Sequence, residues 1–132
     1  MELLVVENHR LFARILRTSL EEEGFAVRIV DDPAKAKALL VAETYDVVLL
    51  DLLPQNELAV LRDWRQARIN TPVLFLSNPE SCMEHLNDLG LGPGASLSKP
   101  FRFDDLLSWL SLLGDGRKER LDSSLSVALT AP

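Results

Sequence analysis

The segment at residues 46–54, DVVLLDLLP, carries four large aliphatic side chains directly into an acid, and a proline follows three residues later. A continuous aliphatic run of this length is typical of a strand covered on both faces in a parallel sheet. LLVV at 3–6 and VLFL at 73–76 have the same character. AVRIV at 26–30 alternates instead, and ASLS at 95–98 is only weakly apolar. These last two segments are predicted to be strands nearer the sheet edges.

The segments between the strands have the spacing of amphipathic helices. In the first, five apolar residues are predicted to share one helical face: Leu11, Phe12, Ile15, Leu16 and Leu20. Asn8 is the expected cap of this helix, and Gly24 is its expected stop. Asp32 followed by Pro33 predicts the start of a second helix, because an aspartate cap commonly precedes a first-turn proline.

Three further helices complete the pattern. The third is predicted at about 57–68 and the fourth at about 81–89. The fifth keeps the i, i+3, i+4, i+7 spacing with Phe103, Leu106, Leu107, Leu110 and Leu113. Five strands alternating with five helices predict a doubly wound α/β fold with a five-stranded parallel sheet. We expect one domain at 1–113, followed by a linker or C-terminal tail at 114–132.

Composition narrows the class of protein. The chain has 132 residues, 47% of them hydrophobic, which suffices for one core without disulfides. Its one cysteine, Cys82, predicts a reducing compartment, and the short apolar run near the N-terminus predicts neither a signal peptide nor a membrane span. We therefore expect a cytoplasmic domain. The net charge of -6 makes direct binding of nucleic acid by this domain unfavourable.

Polar residues follow the predicted strands where the strands end. In open parallel sheets these carboxyl ends form the ligand-binding edge, so we expect one cleft containing Glu7, Asp51, Ser77 and Lys99. An aspartate at such an edge can act as a nucleophile toward a phosphoryl group. Glu7 and Asp51 would share a Mg²⁺ ion, Lys99 would pair with the phosphoryl charge, and the Ser77 hydroxyl would donate to a phosphoryl oxygen.

The segments LLVVENHR, YDVVLLDLLP, PVLFLSN and LSKPF occur in this order, and in them the chain resembles the receiver domain of two-component response regulators. The resemblance covers residues 1 to about 113 and implies that the doubly wound fold is of the flavodoxin-like type. It implies that Asp51 is the phosphoacceptor, Glu7 an acid of the metal site and Ser77 the switch hydroxyl. It also implies that Lys99 contacts the phosphoryl group beside a cis-prone bond to Pro100.

The resemblance implies a signalling domain and not an enzyme. A histidine kinase or phosphotransfer protein would phosphorylate Asp51 with Mg²⁺, and the fourth and fifth predicted helices would carry the response, also serving as the surface of a candidate homodimer. The output face would include Ser96, Phe101 and Trp109. Trp109 lies off the main apolar face of the fifth helix, which favours either an interface anchor or packing on a neighbouring element.

Three departures from the family pattern favour a second hypothesis. Asn8 stands where receivers carry a second acid, so Mg²⁺ affinity should be lower. The loop after Asp51 is short, and Leu53, whose backbone carbonyl would be a metal ligand by resemblance, precedes a proline. Ser96 replaces the aromatic switch residue. The alternative is therefore a degenerate receiver that acts as a phosphorylation-independent interaction or dimerisation module. A phosphatase with an aspartate nucleophile is disfavoured because Leu53 occupies the position of its acid-base aspartate.

Overall fold

The computed structural model describes residues 1–51, 54–77, 94–98 and 101–116. Within these ranges strands and helices alternate, apart from the two strands that flank residues 78–93. The elements are β1 (Glu2–Val6), α1 (Arg10–Glu22), β2 (Ala26–Val30), α2 (Pro33–Ala42), β3 (Val47–Leu50), α3 (Pro54–Gln66), β4 (Val73–Ser77), β5 (Gly94–Ser98) and α4 (Phe103–Gly116). The helix predicted at 81–89 and residues 117–132 lie outside the described residues.

All five strands form one parallel sheet in the order β2-β1-β3-β4-β5. The predicted parallel α/β architecture is therefore confirmed, and the two strands with the weaker apolar pattern, β2 and β5, are the edge strands. Every residue of β3 is buried because the sheet is covered on both faces. From β1 the chain first adds β2 on one side and later adds β3, β4 and β5 on the other side. The direction of strand order therefore reverses between β1 and β3, and this boundary is the topological switch point of the sheet.

The core consists of two layers, one on each face of the sheet. On one face, alternate strand residues pack against α2 and α3 through Ala36, Leu40, Leu61 and Trp64. On the other face, the remaining strand residues pack against α1 and α4 through Leu16, Leu20, Leu106, Trp109, Leu110 and Leu113. Successive side chains of a strand point to opposite faces, so β1, β2, β3 and β4 each contribute to both layers. No helix in the described ranges is long and apolar enough to cross a bilayer.

The start and the buried face of α1 both differ from the prediction. His9, and not Asn8, caps the helix, because its Nδ1 accepts a hydrogen bond from the Phe12 backbone N–H at 3.2 Å. Leu11 and Ile15 are 61% and 55% exposed. The five apolar positions span an arc of about 180° at ~100° per residue, which is wider than the sheet covers. The predicted stop is confirmed, since Gly24 follows the helix with a φ of 96°.

The next two helices follow the sequence signals with one shift. The Asp32 side chain accepts a hydrogen bond from the Lys35 backbone N–H at 2.8 Å, which confirms the predicted cap of α2. The third helix begins at Pro54, three residues before the predicted start, because proline is well suited to the first helical position. It ends before Arg68, which has a φ of 65°, and the Ile69 backbone N–H donates to the Trp64 carbonyl. This hydrogen bond closes a helix end that usually uses glycine.

Arg65 connects the end of α3, through side-chain hydrogen bonds, to the segment that precedes β4. Its guanidinium donates to the carbonyl oxygens of Ile69 at 2.6 Å and Thr71 at 3.1 Å. Burial lowers the pKa of Arg65 to about 10, so the side chain stays protonated at neutral pH. The charge lies in the last turn of α3, where the helix dipole favours a cation.

The last helix, α4, is rotated relative to the predicted face. Trp109 is 6% exposed and belongs to the same buried cluster as Leu106, Leu110 and Leu113, while Leu107 is only partly buried. The expectation that Trp109 is an exposed interface anchor is therefore wrong, and the alternative that it packs on neighbouring elements holds. The large indole removes more apolar area from water than Leu107 does, which favours this rotation. The helix continues three residues past Leu113 to Gly116.

Candidate functional site

Glu7 and Asp51 lie at neighbouring strand ends, on either side of the switch point. The last paired residues of β1 and β3 are Val6 and Leu50, so the two acids occupy the next position on adjacent strands. The Asp51 backbone N–H donates to the Val6 carbonyl at 3.1 Å, which fixes the end of β3 against β1. Because side chains alternate along a strand, both acids have the register of the layer formed by α1 and α4.

Among the residues that the structure describes, Glu7 is the one charged residue that is buried, with 6% of its surface exposed. Its backbone N–H donates to the Val30 carbonyl at 3.0 Å, and its Oε2 accepts from the His9 backbone N–H at 3.1 Å. These two contacts hold the side chain between β2 and the start of α1. A carboxylate removed from water beside a second acid is costly unless a cation or hydrogen-bond donors compensate the charge.

Two carboxylates at this edge fit the way Mg²⁺ is bound in proteins. Mg²⁺ commonly takes one or two carboxylates and keeps several waters, and Glu7 with the half-buried Asp51 can supply such a pair. Among the described residues no group of three His, Cys, Asp or Glu side chains forms an all-protein metal cage. Asn8 is exposed, and Leu53, the predicted carbonyl ligand, lies outside the described residues.

The remaining predicted site residues lie at the end of β4 and directly after β5. Ser77 ends β4 and is paired in register with Ser98 of β5. Lys99 and Pro100 come directly after that pair and lie outside the described residues. On the predicted output face, the Ser96 backbone forms part of β5, and the partly buried Phe101 packs against the α1–α4 layer.

Reasoning from sequence missed the role of His9. Its imidazole caps α1 while its backbone N–H holds Glu7, so one residue connects the helix start to the buried acid. Histidine is not among the preferred helix caps, and its neighbour Asn8 is one of them. The one signal for this role is that His9 directly precedes Arg10, the first residue of α1.

The comparison with known families decides the class of protein: the model of the response regulator receiver domain matches residues 3–111. The chain belongs to the receiver-domain family of response regulators. Receiver domains are signalling domains of two-component systems, they are generally not enzymes, and they interact with histidine kinases or phosphotransfer proteins.

Two curated response regulators illustrate the similarity in sequence. The transcriptional regulatory protein DltR of Streptococcus agalactiae is 34% identical over 114 residues, which are 85% of this chain and 51% of that protein. The transcriptional regulatory protein PmrA of Pectobacterium parmentieri is 34% identical over 108 residues, covering 80% of this chain and 49% of that protein. The chain thus spans about half the length of these relatives.

Solved structures show the same similarity in fold. The Francisella response regulator 1452 receiver domain superposes with a TM-score of 0.75 at 29% identity, covering 88% of this chain and 98% of that one. The signal receiver domain of a histidine kinase from Syntrophus aciditrophicus superposes with a TM-score of 0.73 at 26% identity, covering 92% and 95% of the two chains.

Proposed function

We propose that this receiver domain accepts a phosphoryl group on Asp51 from a histidine kinase or phosphotransfer protein, in a reaction assisted by Mg²⁺. The observation that carries the proposal is the position of the buried Glu7 and of Asp51 on adjacent strand ends at the switch point of the sheet. Burial of a carboxylate beside a second acid is unfavourable, and a bound cation would compensate the charge.

In the proposed transfer, an Asp51 carboxylate oxygen forms the new bond to phosphorus while the bond from phosphorus to the donor histidine nitrogen breaks. Bound Mg²⁺ would neutralise charge on the phosphoryl oxygens. Glu7 would hold the cation together with Asp51 and the Leu53 carbonyl. Ser77 would donate its hydroxyl to the acyl phosphate, and Lys99 would pair with it beside the bond to Pro100.

We propose weak binding of Mg²⁺. Asn8 supplies no charge and is exposed, so two carboxylates hold the cation where the family pattern provides three. Losing one charge-assisted contact costs on the order of 1.5–3 kcal/mol, or roughly ten- to a hundredfold in affinity. Phosphorylation would then depend on millimolar Mg²⁺.

The proposed response involves the segment predicted as a helix at 81–89 and the helix α4. With Trp109 inside the core, the exposed residues of α4 are polar, including Asp104, Asp105 and Ser108. A signal from Asp51 would reach this face through β5, where Ser96 lies, and through Phe101. A homodimer on this face and a cytoplasmic location remain predictions. We add to the proposal a role in the regulation of transcription, which the names of the relatives state for those proteins.

The second proposal is a degenerate receiver that binds partners without phosphorylation. Its support is the exposed Asn8 and the capping of α1 by His9, which together leave the region after β1 with one buried acid. Ser96 in place of an aromatic residue also favours it, because no ring at that position can report phosphorylation.

Titration with a beryllium fluoride phosphate mimic at 1–20 mM Mg²⁺ distinguishes the two proposals. We expect chemical-shift changes in the amides near Glu7, Asp51 and Ser77, with saturation only in the millimolar range. Asp51→Asn should abolish the response. Asp105→Asn removes the same charge from an exposed site on α4 and should preserve the response. An unresponsive wild-type chain at 20 mM Mg²⁺ would leave the degenerate receiver as the better proposal.

A further inference from the structure

A groove of about 890 Å³ lies between α1 and the connection from β2 to α2. Its volume is in the range of small-molecule sites, about 300–1,000 Å³. Four of its lining residues are cationic, namely Arg10, Arg14, Arg17 and Lys35, whereas two are acidic, Glu7 and Asp31. A positively charged groove is unexpected on a chain with a net charge of -6, so its charge calls for a specific explanation.

Two of the four cations already have anionic partners. Arg17 pairs with Glu21 at 3.2 Å, and Lys35 pairs with Asp31 at 2.7 Å. Arg10 and Arg14 form no ion pair within the residues that the structure describes. They lie one helical turn apart on the same edge of α1, where residues at i and i+4 are neighbours. Two adjacent guanidinium groups therefore line the groove without a direct ion-pair partner among the described residues, although the charge of Arg10 also acts at longer range on the Asp31 carboxylate.

The charges of α1 also oppose its own dipole. Arg10 is the first residue of the helix, its first turn contains no acid, and no basic residue lies in its last turn. The acids Glu21 and Glu22 lie at the end that favours cations. This arrangement destabilises the isolated helix, so helix stability does not account for the position of Arg10 and Arg14. Local rules are most often broken where a site needs the offending residues.

The wall of the groove beside these arginines is apolar. Leu11 is 61% exposed and lies between Arg10 and Arg14 in the sequence, while Ile29 and Val30 of β2 are partly buried on the other side. Guanidinium groups match the oxygens of a phosphate group in geometry and charge. An apolar wall next to them suits the organic portion of a ligand better than it suits a free ion.

We propose that this groove binds a small organic phosphate, with the phosphate on Arg10 and Arg14 and the organic group against Leu11 and Ile29. The site is distinct from the proposed phosphoacceptor Asp51, although Glu7 borders both. The proposal does not depend on phosphorylation of Asp51, and ligand binding here would add an input separate from the kinase.

The test is an NMR titration of the ¹⁵N-labelled full chain with ADP in a Mg²⁺-free buffer at low salt. We expect saturable shifts in the first half of α1 and at Ile29. Arg10→Gln with Arg14→Gln should weaken ADP binding at least about tenfold, as expected for the loss of charge-assisted contacts. The variant should stay folded, because both side chains are exposed and the substitutions remove charges that oppose the helix dipole.

The matched control is Arg62→Gln with Arg68→Gln, which changes the net charge equally through exposed residues on and after α3. It should change ADP affinity by less than about twofold. Leu11→Asn should weaken the binding of ADP but not the binding of pyrophosphate. Equal affinity of the wild type for pyrophosphate and ADP would mean that the groove binds free phosphates, contrary to the proposal. Asp51→Asn should leave ADP binding intact. The proposal is overturned if the wild type shows no shifts at 10 mM ADP, if both arginine pairs have the same effect, or if Asp51→Asn abolishes binding.

Discussion

Replacing Glu7 with glutamine separates the stability of the fold from the proposed affinity for Mg²⁺. Glutamine has nearly the shape of glutamate, and its side-chain oxygen can still accept the hydrogen bond from the His9 backbone N–H. The substitution removes one negative charge from a side chain that is 6% exposed and lies next to Asp51 in the strand register. We expect the variant to be more stable than the wild type without Mg²⁺ and insensitive to Mg²⁺.

The size of each effect follows from simple electrostatics and mass action. Two carboxylates about 5 Å apart, the spacing of neighbouring strands, repel by about 3 kcal/mol at an effective dielectric constant of ~20. Partial exposure of Asp51 and the proposed proximity of Lys99 reduce this value, so we expect a gain of about 1 kcal/mol. In the wild type, 10 mM Mg²⁺ should add about 0.4 kcal/mol if Kd is ~10 mM, or about 1.4 kcal/mol if Kd is ~1 mM.

The assay is urea unfolding of both proteins in EDTA and in 10 mM Mg²⁺. Glu2→Gln is the matched control, since it makes the same substitution at an exposed position on β1, the strand that Glu7 follows. The control should keep the Mg²⁺-dependent gain and show no stabilisation in EDTA. If Glu7→Gln lost more than about 1 kcal/mol in EDTA, the buried carboxylate would be a structural element of the fold and our reasoning would be refuted.

Three further predictions concern the elements around the site. Arg68→Gly should raise the free energy of unfolding by about 0.5–1 kcal/mol, because glycine adopts a positive φ without strain; unchanged stability in urea unfolding would contradict it. His9→Ala should cost about 1 kcal/mol in the same assay by removing the acceptor for the Phe12 N–H, and His9→Asn should restore most of it; equal losses would argue against capping. Burial raises the pKa of the Tyr45 phenol above its ordinary value of 10.0, so the folded state retains a proton that the unfolded state loses. This contribution to stability is complete below about pH 10 and is lost as pH rises through the folded pKa. Tyr45→Phe should therefore show a smaller loss of stability than the wild type as pH rises above about 10.

The strands were predictable because their signal is local. A run such as VVLL in β3 is buried on both faces, and the pattern requires no knowledge of the neighbouring segments. The faces of the helices were less predictable. Leu11 and Ile15 satisfy the helical spacing but remain exposed, and Trp109 violates it but is buried. Periodicity identifies an apolar arc, whereas the neighbouring sheet selects which part of that arc is covered.

Within the described residues, the sequence by itself determined the order of strands and helices, the edge strands and the residues at the strand ends, because spacing and side-chain type act over a few residues. Only the tertiary structure decided that β1 pairs with β3, which brings Glu7 beside Asp51, and that Arg10, Arg14 and Ile29 line one groove. Contacts of this kind join residues separated by tens of positions. Their formation depends on how whole elements pack, and the rotation of a helix about its axis decides which of its side chains are buried.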